Sequence, residues 1–166
     1  MPKTEYPAGR LEQIDFVIIF SRYQGKWIYC WHKRRGSFEH PGGHVEPHET
    51  AMEAAKRELY EETGIINAEL LPLWDYEYIW EDGKGSNTGR VYYAKVNALG
   101  QLPESEMERI ELFDDVPENY TYDRAEEIIL TKRDNLSHKR NSPAPGLWAL
   151  EVHPYLPEDR GVPMPV

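Results

Sequence analysis

The segment from Gly43 to Ile65, GHVEPHETAMEAAKRELYEETGI, admits few local structures. Thr50 followed by Glu53 forms a capping-box pair, in which each side chain can satisfy a backbone N–H of the other at the start of a helix. Ala51, Met52, Ala55 and Leu59 recur at helical spacing, and Gly64 suits the left-handed residue that ends a helix. The spacing therefore predicts a helix from Thr50 to Thr63. Along it Glu58, Glu61 and Glu62 stand at i, i+3 and i+4, so three carboxylates share one face with Cβ atoms about 5–6 Å apart. Like charges so placed cost about 0.2–0.5 kcal/mol per pair on an isolated helix, and an ordinary solvated face would intersperse Lys or Arg. A bound divalent cation removes the conflict.

Magnesium suits such a ligand set, because it is hard, prefers oxygen, and is held by one or two carboxylates together with water and substrate phosphate. Manganese is the alternative. The acidic face thus points to a phosphate-bearing substrate. Just ahead of it, Pro41-Gly42-Gly43 ends the preceding strand, and paired glycines let backbone approach a ligand closely or adopt positive φ. Arg57 sits four residues before Glu61 and eight after Glu49, within reach of either carboxylate, so it orients acids rather than touching substrate.

The pattern Gly43, five residues, Glu49, seven residues, then Arg57-Glu58-Leu59-x-Glu61-Glu62-x-Gly64-Ile65 resembles the signature box of the Nudix hydrolases at all its specified positions. Members cleave nucleoside diphosphates linked to another moiety with the help of divalent metal. The resemblance implies that the backbone carbonyl of Gly42 joins Glu58, Glu61 and Glu62 as metal ligands, with Arg57 and Glu49 supporting them. It leaves the general base open between Glu58 and a glutamate in a later loop. The segment PESEMERIELF resembles that loop and strand; Glu106 fits its register, with Glu104 and Glu108 as rivals. The family fold, an α/β/α sandwich with a mixed sheet, is expected across residues 12 to 135. The flanks, including RYQGKWIYCWHKRRGSFEHPGGHVEP and FDDVPENY, resemble the bacterial branch that contains 8-oxo-dGTP diphosphatases, although Phe38 and His40 stand where many members carry Trp and an apolar residue.

The resemblance implies hydrolysis of a nucleoside triphosphate, oxidised or not, to monophosphate and pyrophosphate. The alternatives are hydrolysis of ADP-ribose or a dinucleotide, and a Nudix-fold sensor that binds nucleotide without turnover. ADP-ribose enzymes often carry a proline about 15 residues after the box, where this chain has Trp80 and Glu81. A formal net charge of −10 disfavours binding to duplex nucleic acid, which needs basic surface. The same charge makes a cation necessary between protein carboxylates and substrate phosphates. Cys30 is the only cysteine, so neither an internal disulfide nor a cysteine metal cluster can form. No apolar signal core or membrane-length apolar run occurs, and the expected location is the cytoplasm. His40, His44 and His48 have metal-like spacing, but the intervening Pro41, Gly42, Gly43 and Pro47 exclude the helix that would align them.

Residues 14 to 21 and 26 to 33 read as a hairpin around Gly25, residues 67 to 80 and 90 to 97 as a second hairpin, and 110 to 113 as a short strand. A further helix is expected within 122 to 135. Residues 1–140 form the catalytic domain in this reading. Residues 141–166, rich in proline, form an extension whose Trp148, Leu150, Val152 and Tyr155 pack on the domain or on a partner subunit, which leaves a homodimer open. Three features are candidate substrate readers. Trp74, Tyr76, Tyr78 and Trp80 alternate along one strand, as a base-stacking surface or as a core or interface stripe. His32-Lys33-Arg34-Arg35 can grip phosphates or sit at a solvated hairpin tip. Asn119 and Tyr120 can read base edges or shape a turn.

Overall fold

The computed structural model describes residues 3–124. The proline-rich extension and most of the helix expected within 122 to 135 lie outside the described residues. The sheet is organised around β2 (Phe16–Tyr23), whose side chains alternate between two apolar clusters. Val17 and Ile19 point to one face, Ile18 and Phe20 to the other, and all four are buried. Burial on both faces is why the strand reads as a continuous apolar run instead of alternating.

One edge of β2 runs parallel to β7 (Ser86–Ala98), from Phe16 opposite Gly89 to Arg22 opposite Lys95. The other edge is shared. Its last residues, Ser21 to Tyr23, pair antiparallel with β3 (Lys26–His32) across a two-residue turn in which Gln24 has φ 48° and Gly25 φ 81°. Two successive positive φ values fit the twist of a tight hairpin. Its first residues, Phe16 to Ile18, pair with β5 (Gly42–His44). The Pro-Gly-Gly segment is thus not a plain loop after a strand but leads into a strand of its own. Neither Gly42 nor Gly43 has positive φ; what each provides is space. A Cβ on Gly42 would stand 2.5 Å from the Val17 carbonyl oxygen, and one on Gly43 would run into the Glu58 carboxylate.

Because β5 occupies that edge, β3 parts from β2 beyond Ile28. It pairs instead with β8 (Met107–Phe113) on one side and β4 (Ser37–Glu39) on the other. A long antiparallel hairpin joins β6 (Asn67–Ile79) to β7, so the returning strand starts at Ser86 rather than Arg90. β1 (Lys3–Pro7) pairs with the Trp74–Tyr78 half of β6, a strand the polar sequence KTEYP does not announce. Among the described strands the β2–β7 pairing is parallel and the others antiparallel, so the sheet is mixed.

Helix α1 (Ala51–Thr63) begins on Thr50 with both halves of the capping box formed, and ends on Gly64 at φ 75°, whose N–H donates to the Tyr60 carbonyl. Ala54, Ala55 and Leu59 pack it against Val17, Ile19, Ile28 and Tyr92. Small alanines bring the helix axis close to β2 and β5, and that proximity sets the distance between its acidic face and the Gly42-Gly43 backbone.

On the opposite side of the sheet, Trp74 and Tyr76 belong to the core with Phe20, Tyr29 and Phe38. Tyr78 is also buried, while Trp80 is 43% exposed at the hairpin end. None of the four lines the cleft described below, so the stripe is core rather than a base-stacking surface. Asp75, on the reverse face of that strand, is fully buried, where Arg90 grips it through Nε at 2.6 Å and Nη2 at 3.0 Å. Asp75 also accepts the Leu11 N–H at 3.0 Å, which ties the segment before β2 to the hairpin.

Candidate active site

The acidic face of α1 forms one wall of a cleft of about 600 Å³. Glu58 and Glu62 are buried, at 9% and 5% exposure, whereas the Glu61 side chain is half exposed. Leu59, on the helix face turned the other way, fixes this orientation by packing into the core. Burial pushes Glu58 up from 4.5 to about 7; Arg57 opposes the shift, and Glu61 and Glu106 add to it. Glu62 is raised well above the usual carboxylate range, first by burial and then by the charges of Glu58 and Glu39, while a hydrogen bond from the Gly42 N–H at 3.0 Å pulls it back. An acid-rich wall with two carboxyls this reluctant to ionise is short of positive charge.

Arg57 is the cation the chain itself supplies. Its Nε and Nη2 donate to the two oxygens of Glu49 at 2.8 and 3.0 Å, and Nη2 also donates to the His44 carbonyl at 2.9 Å. Its Nη1 reaches Glu58 at 2.7 Å and Glu61 at 3.1 Å. The planar fork matches this set of acceptors in a way an ammonium cannot. Glu49, held by Arg57 and by the Glu46 N–H, lies below the usual carboxylate range for that reason. The guanidinium therefore ties the helix, the turn after β5 and two of the site carboxylates together.

The other walls come from distant parts of the chain. Glu106, just ahead of β8, lines the cleft facing α1. Its loop is held to the end of β3, where the Lys33 N–H donates to the Glu106 carbonyl at 3.0 Å and Lys33 Nζ to the Ser105 carbonyl at 2.6 Å. Glu104 and Glu108 do not line the cleft; Glu108 is exposed and pairs with Arg109. Of the basic run, Arg35 enters the cleft wall, where Nη1 donates to Glu39 at 2.5 Å, and His32 accepts the N–H groups of Arg34 and Arg35 through Nδ1. Burial, with Arg35 and Arg34 nearby, lowers His32 from 6.5 to about 4. His40 is buried against the rings of Tyr29 and Phe20, with centroids 4.5 and 4.4 Å away, whereas His44 and His48 are exposed; the three histidines do not converge.

Neither Asn119 nor Tyr120 lines the cleft. The Asn119 carbonyl accepts the Phe38 N–H at 2.7 Å, and Tyr120 packs in the core against Tyr29. They fix the next residue but one, Tyr122, at the cleft, where its hydroxyl donates to Glu39 at 3.3 Å. Glu39 and Tyr122 are cleft residues that sequence reasoning missed. The signal for Glu39 was a charge between Phe38 and the Pro-Gly-Gly segment with an arginine four residues earlier; for Tyr122 there was none.

A family model described as the NUDIX domain matches residues 11–125. The chain belongs to the Nudix family. Over 115 residues it is 35% identical to YtkD of Bacillus subtilis (strain 168), whose name provisionally assigns it as an 8-oxo-dGTP diphosphatase; the match spans 69% of this chain and 71% of that one. Among solved structures, a variant of the Bacillus subtilis pyrophosphohydrolase BsRppH is similar with a TM-score of 0.60 and 30% identity, covering 78% of this chain and 80% of that chain. A NUDIX-family hydrolase from Clostridium perfringens shares the fold at a TM-score of 0.57 and 18% identity, over 74% and 96% of the two chains. The protein is a Nudix pyrophosphohydrolase, and its substrates are nucleoside diphosphate-linked compounds. No helix among the described residues is long and apolar enough to cross a membrane.

Nudix enzymes in general use divalent metal ions, and the donor chemistry here fits one. Glu58, Glu61, Glu62 and Glu106 are hard oxygen donors around one cleft, and the raised Glu58 and Glu62 mark an unmet demand for positive charge. Among the described residues, no three Asp, Glu, His or Cys side chains are already arranged around a single point. The reason is visible in the hydrogen bonds: Arg57 holds Glu58 and Glu61, and the Gly42 N–H holds Glu62. These partners and a cation would compete for the same carboxylates.

Proposed function

We propose that this Nudix hydrolase cleaves a nucleoside triphosphate, oxidised purine nucleotides included, to the monophosphate and pyrophosphate with magnesium as its metal. Manganese is the alternative ion. The observation that carries this reading is the cleft in which Glu58, Glu61 and Glu62 of one helix face Glu106 of a remote loop. An anionic polyphosphate enters such an acidic site only with a divalent cation between the two sets of charges. The provisional name of YtkD supports the choice of triphosphate.

Glu58, Glu61, Glu62 and the carbonyl of Gly42 would hold the metal, which supplies charge neutralisation on phosphate and a lowered pKa for water. Arg57 and Glu49 keep the helix and the Gly43–Glu49 turn in register, so that the acids stay on the cleft side. Either of two cleft carboxylates, Glu58 or Glu106, would take the proton of the attacking water. Burial raises Glu58 in the metal-free chain, and a cation bound beside it would bring it down again. Glu106 stands on the opposite wall. In the reaction the water oxygen bonds to phosphorus, its proton passes to the base, and the P–O bond to the leaving pyrophosphate breaks.

A panel of ribo- and deoxynucleoside triphosphates, 8-oxo-dGTP, ADP-ribose and a dinucleoside polyphosphate, assayed with and without magnesium, tests the reading. Pyrophosphate release from triphosphates that depends on magnesium is expected. Release of inorganic phosphate alone, or turnover confined to ADP-ribose, would overturn it.

A further inference from the structure

Two carboxylates of the cleft, Glu39 and Glu46, stand outside the phosphate chemistry, and of these Glu39 is the buried one. Glu39, at the end of β4, is 3% exposed, yet it lines the cleft. Its two oxygens are treated unequally. Oε2 receives Arg35 Nη1 at 2.5 Å and the Tyr122 hydroxyl at 3.3 Å. Oε1 is buried and has no hydrogen-bond partner among the described residues. Both Arg35 and Tyr122 are themselves cleft residues, and each approaches the same oxygen, so together they fix the carboxylate with Oε1 left over. Buried polar atoms are nearly always paired, with protein, water or a bound group, and an oxygen fixed in a cleft wall without a donor calls for one from outside the chain. β4 has little freedom to adjust. Its three residues pair with β3 at Cys30–His32, and Phe38 is bound on both sides of its peptide to Asn119 and Thr121.

We infer that Glu39 is a specificity-determining residue that accepts a hydrogen bond from an N–H or O–H of the substrate's nucleoside moiety, with Arg35 and Tyr122 as the residues that aim it. The inference rests on the proposed nucleotide hydrolysis and adds which part of the substrate is read. Phosphate is not the occupant, because phosphate oxygens near neutral pH are acceptors and would repel the carboxylate. The donors a nucleotide offers are the ring and exocyclic N–H groups of its base and the hydroxyls of its sugar. A site built to satisfy a fixed acceptor discriminates strongly against ligands that lack the donor, since the acceptor is then buried unpaired.

Glu39→Gln keeps the side chain's size and replaces one acceptor with a donor. The test measures kcat and KM for guanosine, inosine, adenosine, cytidine and uridine triphosphates in ribo and deoxy forms, and Kd for the corresponding monophosphates by calorimetry, at about pH 8, where Glu39 is mostly ionised. Expected is a loss of at least about tenfold in kcat/KM for the best wild-type substrate, carried by KM, while the poorest substrates change by less than about twofold. Tyr122→Phe should give a smaller loss in the same order of substrates. A loss that follows the base assigns the donor to the base; one that follows ribo against deoxy assigns it to the sugar. An equal loss for every nucleotide, or a fall in kcat at constant KM, overturns the inference, as does an unchanged profile. If Glu39→Gln lowers the melting temperature markedly, Tyr122→Phe and Arg35→Lys carry the test, and an unchanged substrate order in both overturns it. Failure of the nucleotide reading itself is separate: in that case the wild type releases no pyrophosphate and binds no monophosphate.

Discussion

Replacing Arg57 by Met keeps much of the side chain's length and removes its charge and all its donors. The guanidinium makes five hydrogen bonds, to Glu49 twice, to Glu58, to Glu61 and to the His44 carbonyl. The contact to Glu61 adds little to stability, since that side chain is 51% exposed and solvent screens it. Glu49 and Glu58 are 14% and 12% exposed, and each loses its nearest cation. Leaving a buried charge unpaired costs about 3–5 kcal/mol, and partial exposure with some retreat by protonation of Glu58 reduces this to roughly 2–4 kcal/mol. For a chain of this size that is a fall in melting temperature of about 5–15 °C. Because Arg57 also holds Glu58 down against burial, its removal raises Glu58 further. The assay is thermal melting at neutral pH with a metal chelator and then with a magnesium titration. Magnesium should recover more of the lost stability in Arg57→Met than it adds to the wild type, because in the variant the carboxylates are free to turn and lack any other counter-charge. An unchanged melting temperature in chelator would refute the counter-ion argument. A magnesium increment equal to that of the wild type would refute the claim that Arg57 and metal compete for the same acids.

The remaining predictions concern the same walls. Glu58→Gln and Glu106→Gln separate the two candidate bases. The base loses about 10²–10⁴ in kcat with magnesium affinity, read by calorimetry, largely kept; a pure ligand loses affinity first. Wild-type kcat in both variants would remove both from the chemistry. For Gly42→Ala the added methyl meets the rigid Val17 carbonyl, and a stability loss of about 1–3 kcal/mol is expected by denaturant unfolding. For Gly43→Ala the methyl meets the end of the Glu58 side chain, which can swing away, so activity should fall while melting changes less. The reverse order would contradict the packing account. Glu39 goes from 4.5 unfolded to about 7 folded, so the folded state binds the extra proton between those values. Stability without metal therefore falls as pH rises from 4.5 to about 7, by up to roughly 3 kcal/mol from this group. His32 acts oppositely: lowered to about 4, it stays neutral when folded, and stability falls as pH drops from 6.5 toward 4. Between about pH 4.5 and 7, melting should thus decline less, or rise more, with pH in Glu39→Gln than in the wild type; parallel curves over that range would contradict the shift.

What could be read from the sequence divides along the range of the interactions. The helix from Thr50 to Thr63 was legible because its cap, its apolar stripe and Gly64 lie within one segment, and Glu58, Glu61 and Glu62 share a face by helix geometry alone. β2 was legible as an apolar run. β5 was not, because glycine normally marks a break in a strand, and here Gly42 pairs with β2 because the Val17 carbonyl leaves no room for a Cβ. The aromatic alternation at Trp74, Tyr76 and Tyr78 has one period whether it faces ligand or core, and only packing against Phe20 and Tyr29 decides between them.

The wall opposite α1 is the extreme case. Glu39, Glu106 and Tyr122 come from segments more than 80 residues apart at the extremes, and β3 is what gathers them. It holds β4 on one edge and β8 on the other, while Phe38 binds the segment leading to Tyr122. At the Trp31/His32 step the β3–β8 register shifts, and Lys33 then clamps the loop that carries Glu106. The irregularity sits between the two residues the cleft needs, Glu39 across one edge and Glu106 across the other. The acidic face of α1 is set by one helix alone, whereas the separation of Glu39 from Glu106 depends on register in three strands. Substrate choice is therefore the property most open to change by substitutions in β3 that leave the acidic helix untouched.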